Sequence, residues 1–199
     1  VQVLQNLKYK IMFDRIEAGT YMIASALTGG NLKITNIKPK IIKTEIDILR
    51  KVGASIKTKD AELRIIGRNK INNIKIITSP YPGFPTDLQA QLMVLLCRAF
   101  GRSEIIEKIF ENRFMHASEL NRMGAKIKIF GNRAIIEGNV NFKAAELMAT
   151  DLRASVSLIL AALAAKGKSI INRVYHLDRG YESIEQKLRN VGASIRRIS

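Results

Sequence analysis

The sequence predicts an α/β (α+β) protein: a single inverted, inside-out α/β barrel made of three repeated helix–strand–helix–strand units. Three observations lead there. The runs Ile48-Leu49-Arg50-Lys51-Val52-Gly53-Ala54-Ser55-Ile56, Leu120-Asn121-Arg122-Met123-Gly124-Ala125-Lys126-Ile127 and Lys187-Leu188-Arg189-Asn190-Val191-Gly192-Ala193-Ser194-Ile195 repeat one pattern, with their glycines 71 and 68 residues apart. Each reads as a helix end, a glycine at the left-handed C′ position, and the start of a strand. The helix that opens each unit is apolar nearly all round, as in Met93-Val94-Leu95-Leu96-Cys97 and Leu158-Ile159-Leu160-Ala161-Ala162-Leu163. Such helices are buried rather than laid on a surface. Strands alternate, as in Lys126-Ile127-Lys128-Ile129, with one wet face and one dry face. Helices inside and sheets outside satisfy all three.

The units run over about residues 1–79, 80–149 and 150–199 of a single 1–199 domain. Apolar helices are expected over 16–27, 88–100 and 152–165, each ending at small or glycine residues: Gly29, Gly101 and Gly167. A β-rich strand follows at 32–37, 104–109 and 169–174, then a more amphipathic helix at 44–52, 117–123 and 183–191. After the Gly-Ala pair come strands at 54–58 with 62–66 and at 125–130 with 133–137, the latter two joined by the hairpin turn Gly131-Asn132. Further strands fall at 74–78 and 145–149, and the last unit stops short after Ile195.

The three apolar helices open alike. Asp14 precedes the first, Thr86-Asp87 the second and Thr150-Asp151 the third. The second opening is distinctive because S-P-Y-P-G-F-P (79–85) comes before it. Its prolines remove backbone donors and push the preceding residues to extended conformations, so the segment is a stiff loop. Thr86 with Gln89 three residues on reads as a capping box, making Thr86 the expected N-cap. Asp87 then lies in the first helical turn, where amides and the helix dipole favour a negative charge. A rigid loop delivering a carboxylate to a helix mouth fits either a stabilised helix start or a functional acid.

Composition bounds the rest. The 199 residues, 47% hydrophobic with mixed charge, suit a folded domain, and no apolar run approaches the ~20 residues that span a bilayer. Residues 1–10 lack a charged segment followed by an apolar stretch, so no signal peptide is expected. A chain opening on Val1 reads as part of something longer. A single cysteine precludes an internal disulfide and fits a reducing compartment. The net charge of +16 invites nucleic acid, but the lysines are scattered and aromatics are 6% without interleaving among basic clusters. A solvated basic surface is the favoured reading, nucleic acid an unfavoured one, and a protein that handles small phosphates is compatible with both.

Nothing resembles a metal site: His116 and His176 stand alone, and Cys97 sits in a run of buried aliphatics, where a thiol is unreactive. No phosphate-binding glycine loop, serine elbow or dinucleotide fingerprint is present. Carboxylates and arginines at element ends remain. F-E-N-R-F (110–114) and H-L-D-R-G-Y-E (176–182) each put an arginine, Arg113 and Arg179, just beyond a strand at matched positions of two units. Arginines there either form surface ion pairs or, with Asp87 and Asp151, converge on an anion site.

P-G-F-P-T-D-L-Q-A-Q (82–91), F-E-N-R-F-M-H (110–116), A-T-D-L-R-A-S (149–155) and H-L-D-R-G-Y-E (176–182) together closely resemble the UDP-N-acetylglucosamine enolpyruvyl transferases (1-carboxyvinyltransferases) of peptidoglycan synthesis, over the C-terminal half of that family. D-R-I-E-A-G-T (14–20) is similar too, with Phe13 where a proline is common. The resemblance implies a bacterial cytoplasmic enzyme of two inverted barrels, no metal or other cofactor, and substrates bound between the domains. The family adds the enolpyruvyl group of phosphoenolpyruvate to the 3-hydroxyl of UDP-N-acetylglucosamine and releases phosphate. By position, Asp87 matches the carboxylate at the reacting hydroxyl, Ile109 a main-chain contact to the nucleotide-sugar, and Arg179 an arginine that holds phosphoenolpyruvate. Asp151, Arg113 and Arg153 match polar residues of the same cleft, so Asp87, Asp151 and Arg179 are the catalytic candidates.

The resemblance also implies a partner, the N-terminal domain, which carries the cysteine that delivers a proton; Cys97 does not match it, and this chain alone is expected to be inactive. EPSP synthases, which use shikimate phosphate, and RNA 3′-phosphate cyclases are the alternatives. The R-G-Y-E and N-R-F-M-H motifs argue against the first, and the lack of a comparable histidine motif argues against the second. A binding-only half-barrel is a third reading.

Overall fold

The structure is a computed structural model that describes residues 6–198. The leader reading of residues 1–10 therefore falls partly outside the described residues. Six α-helices and nine strands occur among the described residues. In chain order they are α1 (Arg15–Thr28), β1 (Asn31–Thr35), α2 (Lys43–Val52), β2 (Ser55–Lys59), β3 (Glu62–Ile66), β4 (Lys75–Ile77), α3 (Gln89–Cys97), β5 (Arg102–Ile106), α4 (His116–Arg122), β6 (Lys126–Phe130), β7 (Arg133–Glu137), β8 (Glu146–Met148), α5 (Leu152–Ala164), β9 (Ile170–Asn172) and α6 (Ile184–Asn190). Two 3-10 turns, Thr86–Leu88 and Val174–Arg179, complete the list.

The three apolar helices α1, α3 and α5 pack on one another at the centre. Every residue of α3 is buried, and Leu92, Met93, Val94, Leu95 and Leu96 are at 0% exposure. Each such aliphatic side chain contributes about 1.5–3 kcal/mol on leaving water. Cys97 lies in this core, where burial pushes its thiol up to about 12. The strands form three sheets, in the orders β1-β3-β2, β4-β5-β7-β6 and β8-β9.

Each sheet turns its apolar face to the helices. On β6, Ile127 is buried while Lys126 and Lys128 are exposed, but the predicted alternation stops there: Ile129 is 40% exposed, near the hairpin end where the strand leaves the core. The outer face of the first sheet carries a lateral row of Lys33, Arg64 and Lys57 in cross-strand register, which accounts for part of the basic surface. Gly53 has φ +116, and its N–H closes α2 on the carbonyls of Leu49 and Arg50, the left-handed C′ role its repeat pattern predicts.

Pairing departs from chain order: β1 pairs β3 rather than β2, and β5 pairs β7 rather than β6. β4 runs parallel to β5, and β8 parallel to β9, so α3 and α5 are the crossovers of two β–α–β units. The strand before each central helix thus joins the sheet of the strand after it.

Four local expectations are corrected. The second central helix starts as the 3-10 turn Thr86–Leu88 and ends at Cys97, short of the predicted 88–100. Thr86 forms no capping box: its hydroxyl donates to Glu107 Oε2 at 2.8 Å, and the Gln89 side chain is buried without a partner. A carboxylate accepts more strongly than a local amide-rich turn can offer in return, and the tertiary partner wins. The strand predicted at 169–174 shrinks to Ile170–Asn172, because Arg173 takes left-handed φ +59 and starts a 3-10 turn. Residues 193–198 form no strand.

Candidate active site

Two of the three central helix mouths are capped by their aspartate and the third is not. Asp14 caps α1, accepting from Ile16 N at 2.7 Å and Glu17 N at 3.2 Å. Asp151 caps α5, its Oδ1 accepting from Arg153 N at 2.7 Å and Ala154 N at 3.0 Å. Asp87 caps nothing. Its Oδ1 accepts from Arg113 Nη2 at 2.9 Å and from Arg153 Nε at 3.1 Å. The helix-stabilising carboxylate is Asp151, and the one turned to tertiary partners is Asp87.

The loop before Asp87 explains this. Ser79 N bonds Phe84 O and Gly83 N bonds Pro80 O, so the proline-rich segment folds back on itself. A Cβ at Gly83 would lie 1.8 Å from Ser79 Oγ and 3.0 Å from the Pro80 carbonyl oxygen, so a side chain there would displace Ser79 and crowd the turn. The chain therefore enters the helix from the side, with Pro85 extended at ψ 139, and Asp87 falls inside the 3-10 turn rather than ahead of it.

Asp87 is 38% exposed, whereas its arginines are sheltered at 21% and 20%. Both ion-pair contacts fall on Oδ1, and among the described residues Oδ2 has no hydrogen-bond partner. Burial opposes the charge of Arg153, but the hydrogen bond and charge of Asp87 outweigh it and hold the guanidinium above its ordinary value. Arg113 also lies 4.8 Å over the Phe110 ring, a cation–π contact that fixes its orientation. Two sheltered guanidiniums around a half-exposed carboxylate suit anionic ligands, since their charge cannot be titrated away.

Next to this cluster is a buried polar junction that joins α1, α3 and the segment before α6. Tyr181 Oη and Thr20 Oγ1 are 2.8 Å apart, and Gln91 Nε2 donates to Thr20 Oγ1 at 3.2 Å and to the Asp87 carbonyl at 3.1 Å. Tyr181 is 1% exposed and follows Arg179 by two residues. Gly180 packs over α5, where an added Cβ would meet Leu152 Cδ2 at 2.8 Å.

Arg113, Arg153 and Asp87 are thus brought together, with Asp151 adjacent through Arg153. Arg179 is not in direct contact with them: it is exposed at the end of its 3-10 turn, and no ion pair among the described residues involves it. Ile109 is exposed, its N–H spent on Glu107 Oε1 at 2.8 Å. His116 is buried near Asp151 and Arg113, its Nε2 unpartnered, and burial pushes it from 6.5 down to about 4. Glu107, Thr20, Gln91 and Tyr181 were not legible as site residues. The only hint for Glu107 is an acid closing the apolar run Ile105-Ile106.

Among the described residues no three His, Cys, Asp or Glu side chains gather as a metal would require, and no helix is long and apolar enough to cross a membrane. A cavity of about 700 Å³ lies elsewhere, between α5, β9 and residues 194–198, with none of these site residues in its lining.

The sequence matches the family described as EPSP synthase (3-phosphoshikimate 1-carboxyvinyltransferase) over residues 1–188. It is 72% identical over 199 residues to a UDP-N-acetylglucosamine 1-carboxyvinyltransferase of Pelagibacter ubique, covering 100% of this chain and 48% of that protein. A protein of the same name from Azorhizobium caulinodans is 51% identical over 197 residues, covering 98% of this chain and 46% of its own. The chain spans about half the length of the curated relatives it matches. Among solved structures, the enolpyruvyl transferase NikO from Streptomyces tendae superimposes with TM-score 0.86 at 29% identity, over 94% of this chain and 44% of that one. An EPSP synthase from Acinetobacter baumannii reaches TM-score 0.76 at 18% identity, over 92% and 46%, a likeness of fold alone. The fold is α/β and enolpyruvyl-transferase-like.

Proposed function

The chain belongs to the EPSP synthase family of 1-carboxyvinyltransferases, and on that premise we propose that it is one half of an enzyme that moves the enolpyruvyl group of phosphoenolpyruvate to the 3-hydroxyl of UDP-N-acetylglucosamine. The observation that carries this reading is the 72% identity, unbroken over the whole chain, to a protein named for that reaction. The partner is the other half of the same enzyme, the setting is the bacterial cytoplasm, and the product feeds peptidoglycan synthesis. In this reading the central α1, α3 and α5 with sheets outside form an inverted α/β barrel of three repeats, about 1–79, 80–149 and 150–199.

The roles follow from the chemistry. The attacking alcohol must lose a proton, and Asp87 Oδ2 accepts it while Arg113 and Arg153 hold Oδ1. The oxygen then bonds to the substituted carbon of phosphoenolpyruvate as a proton from the other half reaches the methylene carbon, and the double bond is restored when the resulting methyl gives up a proton and the C–O bond to phosphate breaks. Phosphoenolpyruvate carries phosphate and carboxylate side by side, and the exposed Arg179 is a guanidinium free to grip them. Asp151 acts through the α5 cap that aims Arg153, which makes it a positioning residue. Ile109 offers the nucleotide-sugar its carbonyl, since its N–H is spent.

A second reading, transfer to shikimate 3-phosphate, is favoured by the description of the matching family. One assay separates them. The complete enzyme, given phosphoenolpyruvate, should release phosphate with UDP-N-acetylglucosamine and not with shikimate 3-phosphate. The reverse preference would overturn the proposed acceptor. This half alone should release none, because an open half-site leaves water on any bound anion and lacks the proton donor.

A further inference from the structure

Glu107 follows β5 and is 2% exposed. Every contact of its carboxylate comes from a donor: Thr78 Oγ1 at 2.7 Å, Ile109 N at 2.8 Å and Phe110 N at 3.1 Å on Oε1, and Thr86 Oγ1 at 2.8 Å on Oε2. Its main chain is held as firmly, with Glu107 N donating to Asn132 O at 2.9 Å and Asn132 Nδ2 to Glu107 O at 3.1 Å. The Thr78 hydroxyl in turn accepts from Lys108 N at 2.9 Å. One acid thus gathers three segments: the end of β4, the residue before Asp87, and the exit of β5 that leads through Phe110 to Arg113.

Among the described residues no cation pairs with this carboxylate. A buried carboxylate is costly unless hydrogen bonds satisfy it. Four donors do so here, and the result is geometric: amides and hydroxyls from separate segments are drawn to one point. The residues that follow the corresponding strands of the other units, Asn36 and Arg173, are exposed and both have φ +59. Only the middle unit, whose helix mouth holds Asp87, has a buried acid there.

We propose that Glu107 is a positioning residue of the transferase site, setting the Ile109 main chain and the Asp87 turn at the separation a nucleotide-sugar bridges. This rests on the transferase reading and assigns a residue that reading does not use. Glu107 never touches substrate. It works by hydrogen bonding, so glutamine should replace it: Oε1 keeps three donors, and Nε2 donates to Thr86 Oγ1 in place of the reversed bond.

The test uses the complete enzyme. Glu107→Ala should raise the KM for UDP-N-acetylglucosamine about tenfold or more, the factor expected for lost bonds to a charged acceptor, and leave the KM for phosphoenolpyruvate within about twofold. Amide exchange of the peptide containing Ile109 and Phe110 should accelerate by a similar factor. Glu107→Gln should restore both readouts to near wild type. Thr86→Val, which cuts only the tie to the Asp87 turn, should lower kcat about threefold to tenfold with exchange at Ile109 unchanged, and it decides the matter if Glu107→Ala does not fold. Native KM and exchange in Glu107→Ala would overturn the proposal, as would a folded Glu107→Gln as impaired as the alanine variant, or native kcat in Thr86→Val. A wild-type enzyme without the transferase activity would instead sink the reading beneath it.

Discussion

The mouths of α3 and α5 begin from nearly the same words, Thr86-Asp87-Leu88 and Thr150-Asp151-Leu152, and end in different chemistry. β8 ends at Met148 and α5 begins at Leu152, so Asp151 stands at the cap position and its carboxylate is consumed by amides. β4 ends at Ile77 and α3 begins at Gln89, with the proline loop between, so Asp87 enters inside a 3-10 turn with its carboxylate available to Arg113 and Arg153. α1, entered through Asp14, behaves like α5. Three helix mouths share similar residues, and the longer approach to one of them leaves its carboxylate free of capping and paired instead with two arginines. The acid that the repeat would have spent on capping is thereby replaced by packing, since α3 is buried on every side.

The largest effect that could break this comparison is on turnover. Asp87→Asn in the complete enzyme should lower kcat by roughly 10²–10⁴-fold, the usual contribution of a general base, while KM moves far less. Melting temperature should fall only modestly, because Asp87 caps no helix although its charge offsets the burial of Arg153. A folded variant with near-normal turnover would make Asp87 as structural as its counterparts.

His116 is the first residue of α4, with Asp151 and Arg113 as its charged neighbours. Burial depresses it from 6.5 to about 4, so between those values the unfolded chain binds a proton that the folded chain refuses. Stability should therefore fall as pH drops through that window, by about 1.4 kcal/mol per pH unit and roughly 3 kcal/mol in all. Denaturant titrations at pH 7 and pH 4.5 should show this loss, and His116→Gln should flatten it. An equal slope in both proteins would mean that His116 is hydrated in solution.

The smallest effects belong to the true caps. Asp151→Ala and Asp14→Ala should each cost about 1 kcal/mol of stability, read from urea midpoints. Asp14→Ala should leave kcat unchanged, while Asp151→Ala should reduce it modestly through loosened aim of Arg153. A larger kcat loss at Asp151 than at Asp87 would invert the assignment.

Much of the architecture was legible before any coordinates. Gly-Ala repeats after Lys51-Val52, Arg122-Met123 and Asn190-Val191 mark helix ends because a left-handed residue without a Cβ is a local requirement, and local requirements are written residue by residue. The apolar helices and alternating strands were legible for the same reason: burial on all sides or on one side leaves a period of its own. What the proline run does was only half legible. Stiffness follows from Pro80, Pro82 and Pro85 alone, but the capping box predicted at Thr86 and Gln89 gave way to Glu107, twenty-one residues downstream. Likewise, the order in which β4 and β8 join the following sheets, the pairing of Arg113 and Arg153 on one oxygen of Asp87, and the junction of Thr20, Gln91 and Tyr181 were decided by tertiary structure. The physical reason is common to all of them. A hydroxyl, a guanidinium or a carboxylate has several partners of similar local worth, and which one it takes depends on what the packed core brings within three ångströms or so.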